Sequence, residues 1–128
     1  MTTDNEERTE AVLEANEAFY RAFNAKDPDA MDAAWAAEHD VACIHPGWNA
    51  LLGREDVLAS WHNILTNPNQ PRIVIGGAQV VFTAETAIVL CRELVAGSPL
   101  IATNVFVEEA GAWKLVHHQS GGVAAGMT

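Results

Sequence analysis

The 128-residue sequence predicts an α+β domain in which three N-terminal helices pack on a curved, mainly antiparallel sheet. Three observations carry that expectation. Apolar residues of the first half recur at three- and four-residue spacing, the period of an amphipathic helix. From Arg72 onward the pattern changes to runs rich in β-branched and aromatic residues, separated by turn signals. The last such run, Ile101 to Ser120, holds two strand-like segments around Glu109-Ala110-Gly111, with Asn104, His117, His118 and Gln119 inside it. Polar side chains facing a core are costly unless paired or lining a cavity, so this hairpin is expected to form one wall of a pocket.

The first helix is expected from about Asp4 to Ala25, burying Val12, Ala15, Phe19, Ala22 and Phe23, with Asp4, Glu6 and Glu7 suiting its positive start. Asp27-Pro28 opens a second helix, with Asp as N-cap, Pro in the first turn and Met31 and Trp35 buried. Val41 to Ile44 reads as a short strand ended by Pro46-Gly47, followed by a loop to Gly53. Glu55-Asp56 begins a third helix, whose apolar face is Val57, Leu58, Trp61, Ile64 and Leu65 and which Asn67-Pro68 and Pro71 close. Four strands follow: Ile73 to Phe82, with a bulge or break at Gly76-Gly77, then Ala87–Ala96, Leu100–Val107 and Ala112–Gln119. Gly97-Ser98-Pro99 and Glu109-Ala110-Gly111 are the turns between antiparallel neighbours, and the tail GGVAAGMT is expected to be loose. Helices across the hollow of such a sheet leave a cavity open at one end.

Bulk properties narrow the function classes. With 49% hydrophobic and 19% charged residues, one globular domain over residues 1–128 is expected. No stretch approaches the ~18 apolar residues of a membrane span. The acidic start MTTDNEERTE has neither signal-peptide nor transit-peptide character, which makes the cytoplasm the expected location. The net charge is −10, and eleven of the 17 acidic residues fall in the first forty positions, a surface that repels phosphate backbones. No nucleic-acid or membrane partner is expected. Cys43 and Cys91 sit in apolar runs and read as buried free thiols.

Four pieces in order carry a family likeness: AFYRAFNAKDPDAMDAAW, VACIHPGW, GREDVLASW and ATNVFVEEAGAWKLVHH. Over about residues 8–121 the chain resembles SnoaL-like proteins of the nuclear transport factor 2-like superfamily, and is similar also to the association domain of calcium/calmodulin-dependent protein kinase II. The resemblance implies a cone-shaped fold and a homodimer formed through the sheet. It also implies a range of activities, from ketosteroid isomerases, polyketide cyclases and dehydratases to noncatalytic proteins. Where the isomerases place a general-base aspartate, this chain has His45. Where they place an oxyanion-hole tyrosine, it has Phe19, with Tyr20 one position and about 100° around the helix away. Steroid isomerisation is therefore disfavoured.

Candidate residues follow from the same reading. His45, before Pro46-Gly47 at the expected cavity mouth, is the first candidate general base, since imidazole titrates near neutrality. Glu93 shares a strand face with Val89, Cys91 and Val95. It either works with His45 as an orienting group or proton donor, or forms a charge pair across strands. Asn104 shares a face with Phe106 and is expected to hydrogen-bond a ligand or a neighbouring side chain. The association domain carries an arginine there, so a neutral Asn104 argues against an anionic ligand. His117 and His118 point to opposite faces, and only one can line the pocket. Phe19, Trp48 and Trp61 offer apolar walls, Trp48 as a lid, while Ser120 reads as structural. The histidines fall at no metal-ligand spacing, and no phosphate loop or nucleophile elbow is present. No metal or cofactor is expected.

The function so predicted is a pocket for a small hydrophobic or carbonyl-containing molecule, with acid–base isomerase, cyclase or dehydratase chemistry at His45. The alternative is a noncatalytic dimerisation or association module with a vestigial pocket.

Overall fold

A computed structural model describes residues 2–124 and 126. Helix α1 runs Thr2–Asn24, α2 Pro28–Ala34 and α3 Arg54–Thr66. The strands are β1 Ala42–Ile44, β2 Leu51–Leu52, β3 Ile73–Thr83, β4 Thr86–Val95, β5 Ser98–Glu109 and β6 Ala112–Gly122. They form one six-stranded sheet in the order β2-β1-β6-β5-β4-β3. Among the described strands β1 pairs with β6 in parallel and the other strand pairs are antiparallel, while an isolated parallel bridge joins Trp35 to Leu115. No helix among the described residues is long and apolar enough to cross a membrane.

Local chemistry sets the helix limits. Helix α1 ends in a pair of reversed bonds, Asp27 N–H to Ala22 C=O and Lys26 N–H to Phe23 C=O, with Lys26 in the left-handed region at φ 54°. Asp27 then accepts from the Ala30 N–H and starts α2, as its Asp-Pro signature predicts. The far end of α2 is held by Arg54, whose guanidinium donates to the carbonyls of Asp32, Trp35 and Ala36. Sequence patterning gave no sign of that cap.

The expected loop between β1 and α3 contains β2, a two-residue strand too short to show a period. The hairpin turns are tighter than their glycines suggest. Ala96-Gly97 and Ala110-Gly111 are two-residue turns with both φ angles positive, so β5 begins at Ser98 and takes Pro99 into the ladder opposite Leu94. Gly121 and Gly122, expected in a loose tail, extend β6 opposite Ile101 and Leu100. Ala125, Met127 and Thr128 of that tail lie outside the described residues.

Two register breaks position the site. In β3 the extra residue falls between Gly76 and Gln79, where the expected break lies, with Gly77 at φ 63°. In β6 the pairing jumps from Val105↔His117 to Phe106↔Leu115, leaving Val116 as an inserted residue. Trp113 and Leu115 point inward before it, His118 and Ser120 after it. The bulge thus reverses the parity of the strand, turns His118 into the core and leaves His117 on the other side. The core itself lies between the helices and the inner sheet face, built on Phe19, Met31, Trp35, Val57, Val89, Phe106 and Leu115.

Candidate functional site

Beneath α3, the ends of β1, β4 and β6 enclose a cavity of about 440 Å³. His45, Trp48, Trp61, Glu93, His118 and Ser120 line it, with Phe23, Asn63, Asn67 and Gln70 towards its rim. Parallel pairing sets Cys43 beside His118, and His45, buried like Cys43, follows two residues later just past the end of β1. Both imidazoles are 3% exposed and both pack against the Trp61 ring, with centroids at 4.6 Å for His45 and 5.6 Å for His118. Trp48 sits edge-on to His45 at 4.7 Å and remains half exposed.

Hydrogen bonding fixes the tautomer of each imidazole. The Ser60 hydroxyl meets the Val57 carbonyl at 2.7 Å and His45 Nε2 at 2.8 Å, and with its proton on the carbonyl it accepts from His45 Nε2–H. His45 Nδ1 therefore keeps its lone pair. Asn104 spends both amide hydrogens, on Asn16 Oδ1 at 2.8 Å and on the Tyr20 hydroxyl oxygen at 3.0 Å. Its Oδ1 must then accept from His118 Nδ1–H at 2.5 Å, which leaves the lone pair on Nε2. Neither free nitrogen has a hydrogen-bond partner among the described residues, and both histidines line the cavity.

Burial also holds both rings neutral. It lowers His45 to about 4. Burial, and then the neighbouring His45 and His117, lower His118 to about 3. Glu93 is shifted the opposite way: burial raises its carboxyl, against the opposing hydrogen bonds of Tyr20 and Ser120. The Tyr20 hydroxyl donates to Glu93 Oε2 at 2.6 Å and is itself held protonated by burial first and by the neighbouring Glu93 carboxyl. The Cys43 thiol, pushed up to about 12 by burial, is no nucleophile.

Of the residues singled out in the sequence, His45, Glu93, Trp48, Trp61 and His118 meet at the cavity. Asn104 stands one hydrogen bond behind it. Phe19 and Phe106 do not line it. Phe19 packs edge-on to Tyr20, Trp35 and Trp61 inside the core, and Phe106 is buried on β5 further from the open end. His117 lies on the outer side and bonds the Ala42 carbonyl at 3.1 Å. Ser120, read as structural, is a lining residue. Tyr20, set aside for its helical angle, proves to be the hub that joins Asn104 to Glu93. Asn16 and Ser60 were missed. Each is a polar residue at a buried helical position, four after Val12 and three after Val57, and that was the available signal.

Comparison with known proteins agrees with this architecture. The family model described as SnoaL-like domain matches residues 12–125. A candidate dehydratase of the nuclear transport factor 2-like family from Streptomyces avermitilis has 31% sequence identity, a TM-score of 0.88, and coverage of 94% of this chain and 99% of its own. A candidate calcium/calmodulin-dependent protein kinase type II association domain from Thiobacillus denitrificans has 33% identity, a TM-score of 0.76, and coverage of 86% and 93%. A cystatin-like protein from Caulobacter vibrioides, 14% identical with a TM-score of 0.78, covers 91% of this chain and 90% of its own and shares the fold alone. The F-box protein SKIP8 of Arabidopsis thaliana is 27% identical over 121 residues, 88% of this chain, and the chain spans 49% of that relative's length.

Proposed function

Because the chain belongs to the SnoaL-like domain family, with its nuclear transport factor 2-like fold, we propose that its cavity binds a small hydrophobic, carbonyl-containing molecule and performs acid–base elimination on it. The observation that carries this reading is His45: a buried, neutral imidazole on the cavity wall whose Nε2 meets Ser60 and whose Nδ1 has no hydrogen-bond partner among the described residues. A general base needs that combination of an available lone pair and a fixed orientation. Glu93, with its carboxyl raised by burial, is the matching proton donor.

On a β-hydroxy ketone the step balances as a dehydration. His45 Nδ1 takes the proton from the carbon beside the carbonyl. The bond to the β-hydroxyl breaks, and that oxygen leaves as water with the Glu93 proton. Solvent then returns the proton from His45 to Glu93. The likeness to the Streptomyces avermitilis candidate dehydratase supports the reaction class.

The test follows a 3-hydroxy ketone in D₂O by NMR. The wild type is expected to accelerate deuterium uptake beside the carbonyl, and His45→Gln to lower that rate at least about tenfold, since general bases typically contribute more than this. A His45→Gln protein that exchanges as fast as the wild type rejects His45 as the base.

A second reading, the noncatalytic association module, draws on the Thiobacillus denitrificans relative and on the outer sheet face. That face exposes Val74, Val81, Leu90, Leu94 and Ile101 and supports a homodimer. A wild type that assembles but neither exchanges deuterium nor is stabilised by any ketone favours the module.

A further inference from the structure

The reaction above uses one imidazole, yet the cavity holds two. The Asn16–Asn104–Tyr20–Glu93 cluster is buried side chain by side chain, and its geometry fixes one proton, on His118 Nδ1. An apolar residue at position 104 would fill the same space without four polar groups to satisfy, and buried polar clusters are costly unless they are complete. Here the amide is complete, and what it delivers to the cavity is a second unprotonated nitrogen, His118 Nε2.

The hydrogen-bond inventory of the cavity is therefore lopsided. At the buried end of the cavity two imidazoles offer acceptors and the Tyr20 proton is spent on Glu93, while the amides of Asn63, Asn67 and Gln70 stand towards the rim. Among the described residues no lysine or arginine lines the cavity, so a carboxylate has no counter-charge from them there. A ligand that supplies hydroxyl donors satisfies both nitrogens. One that supplies only acceptors leaves them desolvated and unpaired.

We propose that His118 is a specificity-determining residue, with Asn104 as its positioning residue, and that the cavity takes uncharged ring compounds bearing free hydroxyl groups, one of them donating to His118 Nε2. This deepens the ligand-pocket reading and rests on it. The half-exposed Trp48 on the cavity wall supplies apolar aromatic surface for the ring.

Two measurements test the proposal. In the free wild type with ¹⁵N-labelled histidine, long-range ¹H–¹⁵N correlations should show His118 as the Nδ1–H tautomer and His45 as the Nε2–H tautomer. The opposite tautomer at His118 overturns the proposal without any ligand. Titration then compares catechol, its dimethyl ether and benzoate, which share a ring but differ in donors and charge. Catechol should bind at least about tenfold more tightly than either and shift His118 Nε2, the factor one hydrogen bond left unmade would cost. Asn104→Leu should mix the His118 tautomers and shrink that preference. Should Asn104→Leu fail to fold, His118→Phe keeps the aromatic packing against Phe19 and Trp61 and should abolish the preference for catechol while retaining the ether. If the ether or benzoate binds as well as catechol, the donor rule falls and the pocket reading stands. If none of the three moves any cavity resonance, both fall.

Discussion

At the scale of single residues, the site is defined by polar groups that burial keeps out of their usual charge states. His45 has an ordinary value of about 6.5 when unfolded and about 4 when folded. Between those values the unfolded chain binds more protons than the folded one, so stability must fall as the pH drops from 6.5 towards 4. His118, lowered to about 3, acts in the same direction over a wider window. Glu93 acts oppositely, because its raised carboxyl takes a proton in the folded state first. Urea denaturation at pH 7, 6 and 5 should therefore show a loss of unfolding free energy that His45→Asn partly flattens. An unchanged slope in that variant would mean that His45 is not held neutral by the fold. The sequence made His45, Glu93 and Asn104 legible because each interrupts an apolar run. It could not show that Tyr20 links the last two, since a partner 73 or 84 positions away is set by packing and not by periodicity.

Among the elements, the hairpins show where pattern reading succeeds and where it stops. Strand existence and facing were legible: Cys91 and Glu93 do face inward together, as do Asn104 and Phe106. The turn after β4 was misplaced by a residue because alanine carries no turn signal, whereas Glu109-Ala110-Gly111 contained the second turn; Ala96 at φ 49° and Ala110 at φ 51° occupy left-handed positions. A side chain with a Cβ is strained there, roughly 1–2 kcal/mol for an ordinary L-residue, whereas asparagine tolerates the region and forms the preferred Asn-Gly turn. Ala96→Asn and Ala110→Asn should each raise stability by roughly 0.5–1 kcal/mol, additively because they close different hairpins. Thermal melts of the two single variants and the double decide it, and a neutral or lower melting temperature in both would contradict the strain argument. The Val116 bulge was the other illegible feature. Strict alternation would have paired His117 with Leu115, and only the inserted residue hands the inward position to His118.

For the whole molecule, one sheet serves two faces with different chemistry. Strand β4 alternates Cys91 and Glu93 towards the helices with Leu90, Arg92 and Leu94 away from them. Cross-strand neighbours extend the outer row: Val74 lies opposite Leu94, and Ile101 opposite Arg92. Large aliphatic side chains that share one exposed surface favour association, because pairing removes them from water at roughly 25 cal/mol per Å² of apolar area. The homodimer proposed above should therefore form across this face and make the melting temperature rise with protein concentration. Replacing Leu90 and Leu94 together by lysine should give a monomer by light scattering with the fold retained, since both side chains are already 38% and 46% exposed in the single chain. The cavity opens on the opposite side of the same strands, so the monomeric variant should still bind catechol with wild-type affinity. A wild type that is monomeric at every concentration removes the dimer, and a monomeric variant that loses the ligand shows that the two faces are coupled through β4.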